Sequence, residues 1–227
     1  MKNSVVAVLA LAAGSLAQAD IIASWSMPTA IPAATTGTSF NYGAADAGAL
    51  TTGSMLSGSH ALAATTWSSP SGNGSTYSLS SNNWSVGDYY QISVSTTNYS
   101  GISISWDQTR SSTGPSNFSL TMSTDGGANW STLVSGYSVI QAGLSGTNTL
   151  AWSVANGVQA AFNTTGAAGS GADNKSTVLF RLVNNSTVAT GGTNRIDNIV
   201  VSGTQVPAPG ALALVGLGGL IAGRRRR

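Results

Sequence analysis

The chain has 227 residues, no cysteine and only 7% charged residues, so it can form no disulfide, no thiolate metal site and no cysteine nucleophile. Its formal net charge of +2 rests on its ends: five of the nine basic residues are Lys2 and Arg224 to Arg227. The rest of the chain sets Arg110, Lys175, Arg181 and Arg195 against seven aspartates and no glutamate, a net of −3, which excludes the basic face that nucleic-acid binding requires.

The first predicted element, residues 1–19, has the form of an export signal. Lys2 supplies the positive start, Ser4 to Leu16 the apolar stretch, and Ala17-Gln18-Ala19 the small-x-small pattern cut by a signal peptidase, which places the cleavage between Ala19 and Asp20. The body, residues 20–205, is long enough to bury a sizeable core. Low charge with abundant Ser, Thr, Gly and Asn suits strands with a neutral, hydroxyl-rich outer face better than ion-paired surface helices.

Within the body, "IIASWSM", "SHALAATTW" and "TYSLS" read as short strands between Gly- and Ser-rich turns. The clearest period of two begins at Asp88, where Tyr90, Ile92 and Val94 oppose Gln91, Ser93 and Ser95. It resumes with Ile102, Ile104 and Trp106, which makes Trp106 a core residue, and again with Phe118, Leu120 and Met122 after the Gly-Pro break in "RSSTGPS". Three such runs in succession predict an antiparallel meander. "NTLAWSV" and "STVLFRLVNN" are also strand-like; Val178 to Val183 is apolar on both parities except for Arg181, which predicts a central strand covered on both faces and a carboxylate partner for the arginine. "GVQAAFNTT" allows a turn or two of helix, and "NRIDNIVVSG" closes the body as a strand. The fold class expected is all-β, a single antiparallel sandwich.

Residues 206–227 resemble the PEP-CTERM sorting signal read by bacterial exosortases. The matching parts are Pro207-Ala208-Pro209, with Ala208 where the name-giving family has Glu, then a short apolar stretch and Arg224, Arg225, Arg226 and Arg227. At ~1.5 Å per residue the apolar run of residues 211–223 spans about 20 Å as a helix, short of a ~30 Å hydrocarbon core. Terminal arginines would hold it on the cytoplasmic side during export. The resemblance implies transient membrane insertion, and as partners the export machinery and an exosortase-type enzyme. Residues 83–133 and "RIDNIVVSG" resemble a jelly-roll-type β-sandwich found in exported bacterial proteins with this tail. That likeness implies a cell-surface or extracellular location and no activity by itself.

"STDGGANW" is similar to the Asp-box of sialidases and other secreted β proteins, with Asn129 in place of the usual Thr. Ser123, Asp125, Gly127 and Trp130 are assigned to a structural hairpin. In jelly-roll carbohydrate-binding modules a calcium ligand stands on the last strand, which makes Asp197 a candidate calcium ligand, with pairing to Arg195 as the alternative. Asp107 and Arg110, at one strand end, are a candidate ion pair. Trp67, Trp84 and Tyr89 lie beside predicted loops and form the candidate platform for stacking sugar rings. His60 is the only histidine, and no nucleophile elbow surrounds it. Three classes of function are open: a structural or adhesive surface protein without catalytic activity, a carbohydrate-binding protein of extracellular polysaccharide, and a hydrolase. The last would need His60, or two aspartates in one cleft.

Overall fold

The computed structural model describes residues 19–143, 151–187 and 191–207. Most of the export signal, the predicted apolar helix and Arg224 to Arg227 lie outside the described residues. Thirteen strands follow one another: β1 (Asp20–Trp25), β2 (Thr35–Thr36), β3 (Ser39–Gly43), β4 (Met55–Ser59), β5 (Thr66–Ser68), β6 (Leu79–Ser81) and β7 (Tyr89–Val94), then β8 (Tyr99–Arg110), β9 (Asn117–Ser123), β10 (Ser131–Ser138), β11 (Asn163–Ala167), β12 (Val178–Asn184) and β13 (Asn194–Gln205). Helical structure among the described residues is confined to three 3₁₀ turns, none long and apolar enough to cross a membrane.

The strands form two antiparallel sheets that face each other as a sandwich. One runs β11-β8-β13-β6-β5-β2, with β1 also on β13; the other runs β10-β9-β12-β7-β4-β3. The predicted meander is therefore corrected: β7, β8 and β9 do not pair with one another, because the chain crosses between sheets at each connection. Alternation of apolar residues fixes which side of a strand is buried, and it carries no information about the neighbouring strand. "NTLAWSV" is corrected too. Its described part, from Ala151, is irregular and enters a 3₁₀ turn at Val154; the stretch "GVQAAFNTT" forms one 3₁₀ turn, Ala160–Phe162, and then enters β11.

The core fills from the inner positions of both sheets. Ile102, Ile104, Trp106, Ile196, Ile199 and Val201 come from one sheet, and Tyr90, Ile92, Phe118, Leu120, Phe180 and Leu182 from the other, all at most 1% exposed. Trp106 is fully buried and its Nε1 donates to Gln108 Oε1 at 3.1 Å, so truncation to Ala would cost roughly 3–5 kcal/mol. On β12 Val178, Phe180, Leu182 and Asn184 are buried, while Leu179, Arg181 and Val183 are half-exposed; the strand is internal to its sheet but covered on one face only. A bulge on β13, where Asn198 takes φ 45°, lets Ile196 and Ile199 both face the core while Asp197 faces out.

Candidate functional site

The three tryptophan and tyrosine positions expected to form a platform separate. Trp67 and Trp84 are 1% and 3% exposed, and they belong to an aromatic stack that runs through the core. Phe40 stacks on Trp67 at 5.8 Å, His60 sits edge-on to Trp67 at 4.9 Å and against Trp84 at 4.2 Å, and Trp84 meets Tyr90 at 5.0 Å. The loop residues beside them fold inward because Trp67 Nε1 reaches Gly37 O and Trp84 Nε1 reaches Ser81 O, so each indole is satisfied without water. Gly58 on β4 is required here: a Cβ at that position would overlap the Trp67 ring.

His60 is a wedge in this stack. Its Nδ1 lies 3.2 Å from Asp88 Oδ2 without hydrogen-bond geometry, and its Nε2 is 3.1 Å from Ser81 Oγ. Burial lowers its pKa against the opposing pull of Asp88, which favours a neutral ring. Asp88 itself accepts from the backbone amides of Ala61 and Ser85. A histidine sealed between two indoles cannot meet a substrate.

Asp107 and Asp197 face each other across β8 and β13 on the outer face of their sheet, yet are 2% and 0% exposed, because the segments around Asn73 and Gln159 cover them. Asp197 accepts from Asn73 N (2.8 Å), Ser75 Oγ (2.6 Å) and Asn198 N (2.8 Å). Asp107 accepts from the side-chain amides of Asn73, Asn198 and Asn163 at 2.8 to 2.9 Å. The Asn198 amide nitrogen also donates to Asn73 O, and Asn73 exchanges two bonds with the Gln159 backbone, so these amides present nitrogen, not oxygen, to Asp107. Such a donor set does not suit calcium, which takes oxygen ligands, and no cluster of three metal-ligating residues occurs among the described residues. Asp197, the calcium candidate, is a buried carboxylate whose oxygens are taken by protein donors, its pKa pushed up to about 7 chiefly by burial and in lesser part by the Asp107 charge. Arg195 forms no ion pair with it; the only charged contact of that kind among the described residues is His60 with Asp88. Nor do Asp107 and Arg110 pair: the Arg110 guanidinium donates to the carbonyls of Val139, Ser111 and Ser112.

Tyr89 stays at the surface, on the outer face of the second sheet, and meets two residues the platform reading did not include. The Arg181 guanidinium carbon lies 3.8 Å from the Tyr89 ring centroid and 4.0 Å from that of Trp130. Arg181 Nε donates to Gln91 Oε1 at 2.8 Å, on the residue directly opposite in β7. The expected carboxylate partner of Arg181 is absent among the described residues. Trp130 is held by the turn of "STDGGANW". Its Nε1 donates to Gly127 O (2.9 Å), Asp125 accepts from Ser123 Oγ and from both nitrogens of Asn129, and Gly126 and Gly127 take φ 75° and 94°. Those donors hold the exposed Asp125 carboxyl down to about 2.

A further concavity lies elsewhere, at the side of the sandwich where β3 ends its sheet. It encloses about 610 Å³ between residues 28–32 and 40–46. Pro28, Ile31 and Pro32 form one wall; Phe40, Tyr42 and Asp46 form the other. Phe40 and Tyr42 are half-buried, and Tyr42 Oη donates to Thr29 O at 3.1 Å, tying the walls together; burial raises its pKa, so the hydroxyl keeps its proton. Asp46 Oδ2 accepts from Ser26 N and Oγ. Nothing in the strand periodicity singles out this cleft, although the prolines of "MPTAIP" and the alternation in "SFNYG" mark its two walls.

No family model matches the sequence, and no curated protein does. Among solved structures, the chain is similar to the CBM22-1 xylan-binding domain of Paenibacillus barcinonensis Xyn10C, with TM-score 0.45 and 13% identity over 86% of this chain and 100% of that one. It is also similar to the K1 cleaved adhesin domain of Lys-gingipain from Porphyromonas gingivalis W83, with TM-score 0.43 and 13% identity over 82% and 98% of the two chains. TmCBM61, solved with β-1,4-galactotriose, gives 0.34 and 12% over 66% and 88%. Likeness at this level transfers neither a residue's role nor a ligand to this chain.

Proposed function

We propose that this protein is an exported, non-catalytic β-sandwich of the cell surface or extracellular matrix that holds a neutral glycan in the cleft beside β3. The observation that carries the reading is the cleft itself. Its volume of about 610 Å³ suits a few sugar units, two half-buried aromatic rings offer stacking surface, and Thr29, Asn41 and Asp46 offer hydrogen bonds around them. Asp46 is the only titratable carboxyl lining it, so the two-carboxylate arrangement of a glycosidase is not available there. The sequence features that support an envelope location are an export-signal-like leader with a cleavage point before Asp20 and a tail from residue 206 that resembles a PEP-CTERM sorting signal.

The test is affinity electrophoresis of the protein through gels containing xylan, galactan or dextran, beside Tyr42→Ala and Phe40→Ala. Retardation by at least one neutral polymer, lost in Tyr42→Ala with the thermal midpoint little changed, is the expected result. Free migration in every gel, or equal retardation of the variant, would remove the cleft as the binding site.

A further inference from the structure

The outer face of the second sheet carries a feature the cleft does not use. Two strands, β7 and β4, lie between β12 and β3, so three strand spacings, about 14 Å, separate them. The body has few cations, and Arg110 spends its guanidinium on three backbone carbonyls. Arg181 is different. Both faces of its guanidinium are covered, by Tyr89 and Trp130, and Nε is held by Gln91, so the plane is fixed before any ligand arrives. The edge bearing the two Nη groups donates to no residue among those described. The side chain is half-exposed and has no carboxylate within ion-pair distance among the described residues. Asp125, in the turn that positions Trp130, satisfies its own oxygens with Ser123 and Asn129.

We infer that Arg181, clamped between Tyr89 and Trp130, is a docking point for the carboxylate groups of an acidic polysaccharide. A fixed guanidinium edge presents two parallel donors that match a carboxylate bidentately, and its immobilisation before binding removes part of the entropy cost of association. Around it the face mixes hydroxyls, amides and aliphatic groups: Thr121 and Gln91 stand in register on either side, Ser119, Ser57 and Ser93 lie nearby on the same pleat, and Leu179 and Val183 flank it along β12. One fixed cation among hydroxyls, amides and two aliphatic side chains complements a polymer of carboxylated sugar rings, whose edges are polar and whose ring faces are apolar. An acidic peptide would find one charge and few further partners.

The protein purified from producing cells is run through gels containing polygalacturonate, the same polymer fully methyl-esterified, or poly-glutamate. Retardation by polygalacturonate, weakened by added salt and absent with the ester, is expected. Arg181→Gln should weaken it about tenfold and Arg181→Lys by less, since lysine keeps the charge without the fork, while Tyr42→Ala leaves it unchanged. Thermal midpoints of both Arg181 variants check that the fold is intact, and Lys carries the comparison should Gln unfold. Equal retardation by the ester, an unaltered Arg181→Gln, loss of binding in Tyr42→Ala, or equal retardation by poly-glutamate would each overturn the assignment. Because the neutral-glycan assay depends on Tyr42 and this one on Arg181, either site can fail without the other.

Discussion

The two sheets place polar residues on their outer faces by the same alternation, yet the faces have opposite characters. On the β8–β13 face, loop segments close over Asp107 and Asp197, and every carboxylate oxygen is answered by an amide or hydroxyl of the protein. On the β12 face nothing closes over Arg181, and its free edge is left to the solvent. A covered polar group must be satisfied from within, and its partners then belong to the fold; an uncovered one can keep donors in reserve for a ligand. Charge alone does not distinguish structure from site, whereas the accounting of hydrogen bonds does.

The comparison breaks most easily at Asn73, which is fully buried and touches both carboxylates. Asn73→Ala should destabilise the protein by about 3 kcal/mol in urea unfolding, because it strands buried acceptors; a loss below about 1 kcal/mol would mean the covered face is not sealed by these bonds. Next comes pH. Asp197 has a folded pKa of about 7 against an ordinary 3.8, so the unfolded state releases this proton first, and its contribution is full below 3.8 and lost as pH rises through about 7. His60 runs the other way: its folded pKa lies below 6.5, and its contribution, full above 6.5, is lost as pH falls. His60 is present in both proteins, so between pH 6.5 and about 7.5 the thermal midpoint of the wild type should fall relative to that of Asp197→Asn. On the open face, Arg181→Gln should cost about 1 kcal/mol or less, the worth of an exposed cation–π contact, since no buried partner is abandoned. The smallest effect belongs to Asp125, whose carboxyl resonance in an NMR titration should move near pH 2, well below an ordinary aspartate at 3.8; its stabilising contribution is lost as pH falls through that value.

Much of the fold was legible from the chain alone. Period-two alternation marked β7, β8 and β9, and the phase of Trp106 with Ile102 and Ile104 put it in the core, where it is. What alternation cannot carry is partnership. β12 lies between β7 and β9, though some 55 residues of chain separate β9 from β12, because which edges meet is decided by loops and core volume. β2 escapes a pattern search because two residues hold a single period, and β5 takes up only the last two residues of the strand expected over "SHALAATTW". The platform prediction failed for a related reason: proximity of Trp67 and Trp84 to turns says nothing about whether the turn folds over the ring, and here both indoles find carbonyls inside. Arg181 was noticeable as the lone charge in an apolar strand, but its setting between Tyr89 and Trp130 requires two strands and a turn from distant parts of the chain to meet. Phe40 and Tyr42 alternate on β3 without signalling that two prolines face them across a gap.

β1 begins with Asp20 directly opposite Gly203, two residues before β13 ends. The sandwich therefore receives and releases its polypeptide at a single pole, while Pro28, on the rim of the cleft, lies beyond the far end of β1, about 20 Å away along a six-residue strand. If the protein is tethered by the segment after Gln205, that pole becomes the foot. The cleft would then be carried at the head, and a pull transmitted from anything it holds would run lengthwise along β1 and β13, loading their shared ladder in shear instead of peeling it open bond by bond.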